Sequence, residues 1–152
     1  MESKLIQIGN DKMCPIVVIM RDGKVLTGHR HYTKTNTKHD WNWKEISVWT
    51  IPGVRRDPGE TIEETLRREM QEEVGITEFE IVDFIGEVPG AKDGDIVPIF
   101  FCKTNQDAKL MEPEKFSEWR WLPKEEYIAG ELYSGFNPIA RKTIVDYLMK
   151  RA

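Results

Sequence analysis

The stretch GVRRDPGETIEETLRREMQEEVGI, residues 53–76, decides the reading of this chain. Its second half reads as a helix with both ends marked. Thr61 followed three positions later by Glu64 fits a capping box, in which each residue satisfies a backbone donor that the other leaves open. Gly75 stands where a left-handed residue closes a helix. At roughly 100° per residue, Ile62, Leu66, Met70 and Val74 form an apolar stripe about 120° wide, the face expected against a core. Beside it lie Glu69, Glu72 and Glu73, at i, i+3 and i+4. Like charges so spaced repel, and they sit at the helix end whose dipole disfavours anions. Two readings of this face stand open: a solvated acidic surface, or a site for a hard divalent cation, whose charge would cancel both penalties.

Outward from the helix, Val54 to Glu60 carries Pro58-Gly59 and reads as a loop, and Ser47 to Ile51 as a short strand halted by Pro52-Gly53. Pro15 to Met20 and Lys24 to Thr27 flank Arg21-Asp22-Gly23, a strong hairpin signal. Thr33 to Glu45, with Trp41 and Trp43 embedded, reads as a loop near the site. Phe79 to Val88, Ile96 to Thr104 and Phe116 to Leu122 read as strands, the first two joined by a loop with Asp93-Gly94. Asn137-Pro138 opens a closing helix with Ile139, Ile144, Val145 and Leu148 inward. The alternation predicts an α/β fold, with helices on both faces of a mixed sheet.

With 152 residues, one domain over 1–152 is expected, large enough to hold its core without disulfides. Cys14 and Cys102 stand apart in apolar runs, which fits buried thiols in a reducing, cytoplasmic compartment. The longest apolar runs are far short of a membrane span. A formal net charge of -4 disfavours tight binding to a nucleic-acid backbone and leaves small charged ligands open.

The quoted stretch closely resembles the Nudix box, a glycine, five residues, Glu, seven residues, then Arg-Glu-U-x-Glu-Glu-x-Gly-U with U apolar. Glu60, Arg68, Glu69, Met70, Glu72, Glu73, Gly75 and Ile76 fall in their places, and Val54 stands where the box has its first glycine. The resemblance extends to Lys24–Arg30 ahead of the box and to SEWRWLPKEEY, residues 117–127, after it. It implies an α/β/α sandwich and a Mg²⁺-dependent hydrolase, Mn²⁺ being possible, that cuts a nucleoside diphosphate linked to another group. Glu69, Glu72 and Glu73 become metal ligands, with the carbonyl of Gly53 as a further oxygen. Glu60 and Arg68 become supports, Arg68 being spaced to reach Glu64 and Glu72. The general base is a carboxylate, either Glu72 or Glu73, or one of Glu112, Glu114 and Glu118 in a later loop.

Signatures of the subfamilies that cut ADP-ribose or dinucleoside polyphosphates are missing where Lys92, Asp93 and Gly94 stand. EPEKFSEWRWLP, residues 112–123, instead resembles the MutT-type nucleoside triphosphate pyrophosphatases, which release a monophosphate and pyrophosphate. On that resemblance Arg30, Arg55 and Arg56 are phosphate contacts or plain surface charges. Asn137 reads a base or merely caps its helix. Trp41, Trp43 and Phe136 stack on a base or serve the core. The partner is a nucleotide, and the chain is a monomer or a homodimer. Two rivals are a catalytically inactive nucleotide-binding module and an enzyme acting on another diphosphate.

Overall fold

Asp22 and Gly23 both adopt left-handed backbone, with φ of 51° and 74°, the pair that a two-residue hairpin turn requires. They join the first two strands in a computed structural model that describes residues 1–10, 12–33, 46–53, 59–90, 93–130 and 137–151. In chain order the elements are α1 (Glu2–Leu5), β1 (Ile16–Arg21), β2 (Lys24–Tyr32), β3 (Ile46–Thr50), α2 (Ile62–Val74), β4 (Glu80–Pro89), β5 (Ile96–Lys103), β6 (Phe116–Pro123), α3 (Lys124–Ala129) and α4 (Pro138–Lys150). Among the described residues the sheet runs β3-β2-β1-β5-β4, and β6 pairs with β2. Among the described strands only β1 and β5 run parallel, in the register Ile16 to Ile99, so the sheet is mixed as expected. No helix among the described residues is long and apolar enough to cross a membrane.

The central strands are buried on both faces, which is why β5, IVPIFFCK, is a nearly unbroken apolar run. Val17, Ile19, Phe100 and Cys102 point to one face and meet Ile62, Leu66, Met70 and Val74 of α2. Val18, Ile99 and Phe101 point to the other and meet Ala140, Ile144 and Leu148 of α4. The sheet is therefore the middle of three layers, the α/β/α sandwich that the sequence predicts.

Three readings change. β2 runs to Tyr32 rather than Thr27, because it gains β3 along Gly28–Tyr32 and β6 on its other side. Its polar stretch alternates Arg30 and Tyr32 with His29 and His31, which hides the strand from a search for apolar runs. Ile139 of α4 is 54% exposed, and Ala140 takes the inward place. The inward row is 140, 144 and 148, and Ile139 lies roughly 140° from its centre. Cys102 is buried, with its thiol pushed up to about 12 by desolvation, whereas Cys14 is only half-buried.

Candidate active site

α2 begins and ends as its sequence dictates. The Thr61 hydroxyl accepts from the Glu64 N–H at 3.1 Å and the Glu64 carboxylate accepts from the Thr61 N–H at 2.9 Å. Gly75 closes the helix at φ 67°. Because Glu64 turns back to this cap, Arg68 finds its main partner elsewhere. It grips Glu60 through two donors at 2.8 Å each, then reaches Glu69 at 2.6 Å and Glu72 at 3.1 Å. The Thr65 hydroxyl donates to the same Glu60 carboxylate at 3.0 Å. One guanidinium thus holds the incoming loop to the helix and two of the three helix carboxylates in a row.

The third carboxylate is different. Glu73 is 3% exposed, and its Oε1 has no hydrogen-bond partner among the described residues. Burial pushes its pKa well above the usual carboxylate range, and the charges of Glu112 and Glu69 add to this. A backbone hydrogen bond from Gly53 and the charge of Lys115 pull it back. Glu69 is pushed up to about 7, first by burial, with Arg68 opposing and Glu72 and Glu112 reinforcing. Between Glu69, Glu73, Pro15, Val17, Pro52 and Gly53 lies a crevice of about 10 Å³, close to the room one water-sized sphere takes.

Gly53 sits there because nothing larger fits. Ile16 and Gly53 form an isolated bridge, and the Val17 N–H donates to the Pro52 carbonyl at 2.9 Å. A Cβ on Gly53 would stand 2.4 Å from Ile16 Cγ2 and 3.1 Å from Ile16 Cα. Gly53→Ala is therefore expected to destabilise the fold by about 1–3 kcal/mol, the usual cost of overpacking. It is also expected to move the amide that Glu73 accepts from. An unchanged melting temperature with unchanged turnover would show that this approach is not needed.

Of the later carboxylates, Glu112 comes to the helix, where it acts on both Glu73 and Glu69. Glu114 acts on Arg30. Glu118 does not join them: it pairs with Arg120 at 3.0 Å and acts on His29, on the opposite face of β2. Arg30 does come to the site, with Glu73 and Glu112 among the charges acting on it. Its guanidinium lies 4.2 Å from the Tyr32 ring centroid and donates to the carbonyls of His31 and Lys115. Tyr32 and Lys115 escaped the sequence reading. Lys115 bonds Glu112 at 3.2 Å, and its i,i+3 spacing from Glu112 was the available signal.

Asn137 caps α4: its Oδ1 accepts from the Ala140 N–H at 3.0 Å, and its Nδ2 donates to the Pro89 carbonyl at 2.9 Å. Asn137→Ala is expected to cost about 1 kcal/mol of stability by loss of the cap, read as a lower urea midpoint. Trp41, Trp43, Val54, Arg55, Arg56, Lys92 and Phe136 lie outside the described residues.

Among the described residues no three His, Cys, Asp or Glu side chains already gather around one point, since Glu69 and Glu72 turn to Arg68. The donor set still fits a hard cation. It is all carboxylate and backbone, and the buried Oε1 of Glu73 has no hydrogen-bond partner among the described residues.

The NUDIX domain family model matches residues 14–146. The nucleoside triphosphatase NudI of Escherichia coli O81 is 32% identical over 109 residues, 63% of this chain and 73% of that one. The RNA pyrophosphohydrolase of Erythrobacter litoralis is 29% identical over 105 residues, 55% and 63% of the two chains. Among solved structures, the MutT protein from Methanosarcina mazei Go1 superposes with TM-score 0.66 at 22% identity, covering 91% of this chain and 95% of that one. A NUDIX hydrolase from Nitrosomonas europaea reaches 0.71 at 18% identity, covering 94% and 73%.

Proposed function

The chain belongs to the Nudix family and is a hydrolase, and from that premise we propose that it cuts the anhydride of a nucleoside triphosphate into a monophosphate and pyrophosphate with a divalent cation bound. The observation that carries this reading is Glu73: a buried carboxylate with an unpartnered oxygen, beside Glu69 and within the field of Glu112. Such a group is costly in a fold and is explained by a cation that it serves.

Glu69, Glu72 and Glu73 would hold Mg²⁺ or Mn²⁺, with the backbone at Gly53 completing the set. The bound cation would offset the charge that gathers on the anhydride oxygens as the P–O bond breaks, and would lower the proton affinity of a nearby water. The protein supplies the rest. Arg68 keeps Glu69 and Glu72 in line while Glu60 anchors Arg68. Glu112, hydrogen-bonded to Lys115, would take the proton of the attacking water. Trp43 and Arg55 would meet the nucleotide. The two thiols, one deeply buried, fit a reducing cytoplasmic setting.

The test is a panel of ribo- and deoxyribonucleoside triphosphates, oxidised bases included, alongside ADP-ribose, a nucleotide sugar, a dinucleoside polyphosphate and a 5′-triphosphate RNA. Products are read by ³¹P NMR with Mg²⁺ present. Pyrophosphate with a monophosphate from a free triphosphate is expected. Nucleotide binding without turnover of any member, with Mg²⁺ or Mn²⁺, would make the chain a binding module.

A further inference from the structure

The geometry points to Arg30 as a positioning residue, which clamps the turn at 112–115 onto β2 and so holds Glu112 over the carboxylates of α2. It rests on the proposed role of Glu112 above.

The turn is built to be held. The Lys115 and Phe116 N–H groups both donate to the Glu112 carbonyl at 3.0 Å, and the Lys115 ammonium reaches the Glu112 carboxylate at 3.2 Å. The Lys115 carbonyl then accepts twice from β2, from the His31 N–H at 2.8 Å and from the Arg30 guanidinium at 3.5 Å. The turn is thus tied to β2 through one oxygen.

The register explains why Arg30 is the residue that reaches it. Gly28 faces Trp119 but Arg30 faces Phe116, so β6 carries one residue more than β2 between these pairs. Such a bulge reverses which face the following side chains take. Phe116 consequently lies on the face of Trp119, their rings 4.5 Å apart, and Arg30 rests 5.5 Å from the Phe116 ring centroid. With a regular register Ser117 would oppose Arg30, and the turn would leave the strand in another direction. The Arg30 Nη1 donates to two backbone carbonyls of its own chain, and the guanidinium lies near the Tyr32 and Phe116 rings. These are the contacts of a brace.

A double-mutant cycle separates this role from direct contact with phosphate. Arg30→Met keeps an apolar stem against both rings and removes the donors, which protects the fold. Arg30→Met and Glu112→Gln are each expected to lower kcat by at least about tenfold with KM little changed, and the double variant to fall no more than about twofold below Glu112→Gln. Without nucleotide or metal, hydrogen exchange at the amides of His31, Lys115 and Phe116 should speed up in Arg30→Met. Multiplicative losses with a raised KM would show that Arg30 acts on the substrate and would overturn the clamp. Unchanged exchange at those amides would overturn it equally. If Glu112→Gln keeps the parental kcat, the use of Glu112 in the proposed reaction is withdrawn, and the exchange measurement alone decides whether the clamp exists.

Discussion

Replacing Glu73 by Gln should abolish activity while making the metal-free protein more stable. In the folded chain this carboxylate is almost wholly out of water, with Glu112 and Glu69 adding their repulsion and Gly53, Lys115 and Arg30 opposing. A neutral side chain of the same shape removes that penalty, and a gain of about 1 kcal/mol is expected, read as a higher melting temperature in chelator. The same change takes a ligand from the cation proposed to offset the negative charge of the transition state, which costs about 3 kcal/mol or more, a hundredfold or greater in kcat/KM. An acidic face that is merely solvated would leave turnover unchanged. Parental turnover of Glu73→Gln at saturating Mg²⁺ would remove Glu73 from the site.

Stripping the metal with chelator should stop turnover and leave circular dichroism unchanged, because the stripe of Ile62, Leu66, Met70 and Val74 is complete and buried without it. The pH dependence then carries a sign. Glu69 rises from 4.5 to about 7 on folding and Glu73 is raised well above 4.5 in the same direction. The folded state therefore binds more protons than the unfolded one, and metal-free stability falls as pH climbs from about 4.5 through 7 and beyond. Asp107, pulled down by Trp121, acts only below its ordinary value of 3.8, outside this window. His29, lowered mainly by burial, works the other way but sits on the opposite face of β2. The difference between melting temperatures with and without Mg²⁺ cancels such terms. That difference should widen from pH 5 to pH 8, since a cation needs both carboxylates ionised and stabilises the state that binds it. A gap that stays flat or narrows would show that neither carboxylate is a ligand.

Sequence alone carried α2 almost completely because every signal in it is local. The Thr61–Glu64 box, Gly75 and the four-residue stripe lie within one helix, and the structure reproduces each. β5 was legible for the opposite reason: burial on both faces leaves no polar residue to break the run. What escaped depends on distant pairing. β2 continues past Thr27 because β3 and β6 supply partners for a polar stretch. Arg68 takes Glu60 across the loop, since Glu64 is already committed to the cap. That Glu118 faces away while Glu112 acts on Glu69 and Glu73 goes with an extra residue in β6, and a bulge has no fixed sequence signal.

The parallel pairing of β1 with β5 also governs the order in which the molecule assembles. Ile16 must find Ile99, about 80 residues along the chain, and the loop so closed contains β2, β3, α2 and β4. The β1–β2 hairpin forms from neighbours, but this central pair pays a large closure entropy before its contacts are returned, so it belongs to the slow part of folding. The crevice by Glu73 is walled by Pro15 and Val17 on one side and by Gly53 and α2 on the other, and its pieces meet only as that closure completes. A cation consequently has no prepared seat in the early chain. Bound at the finished site it would act after the barrier, retarding unfolding without hastening folding, and what it would confer is kinetic persistence.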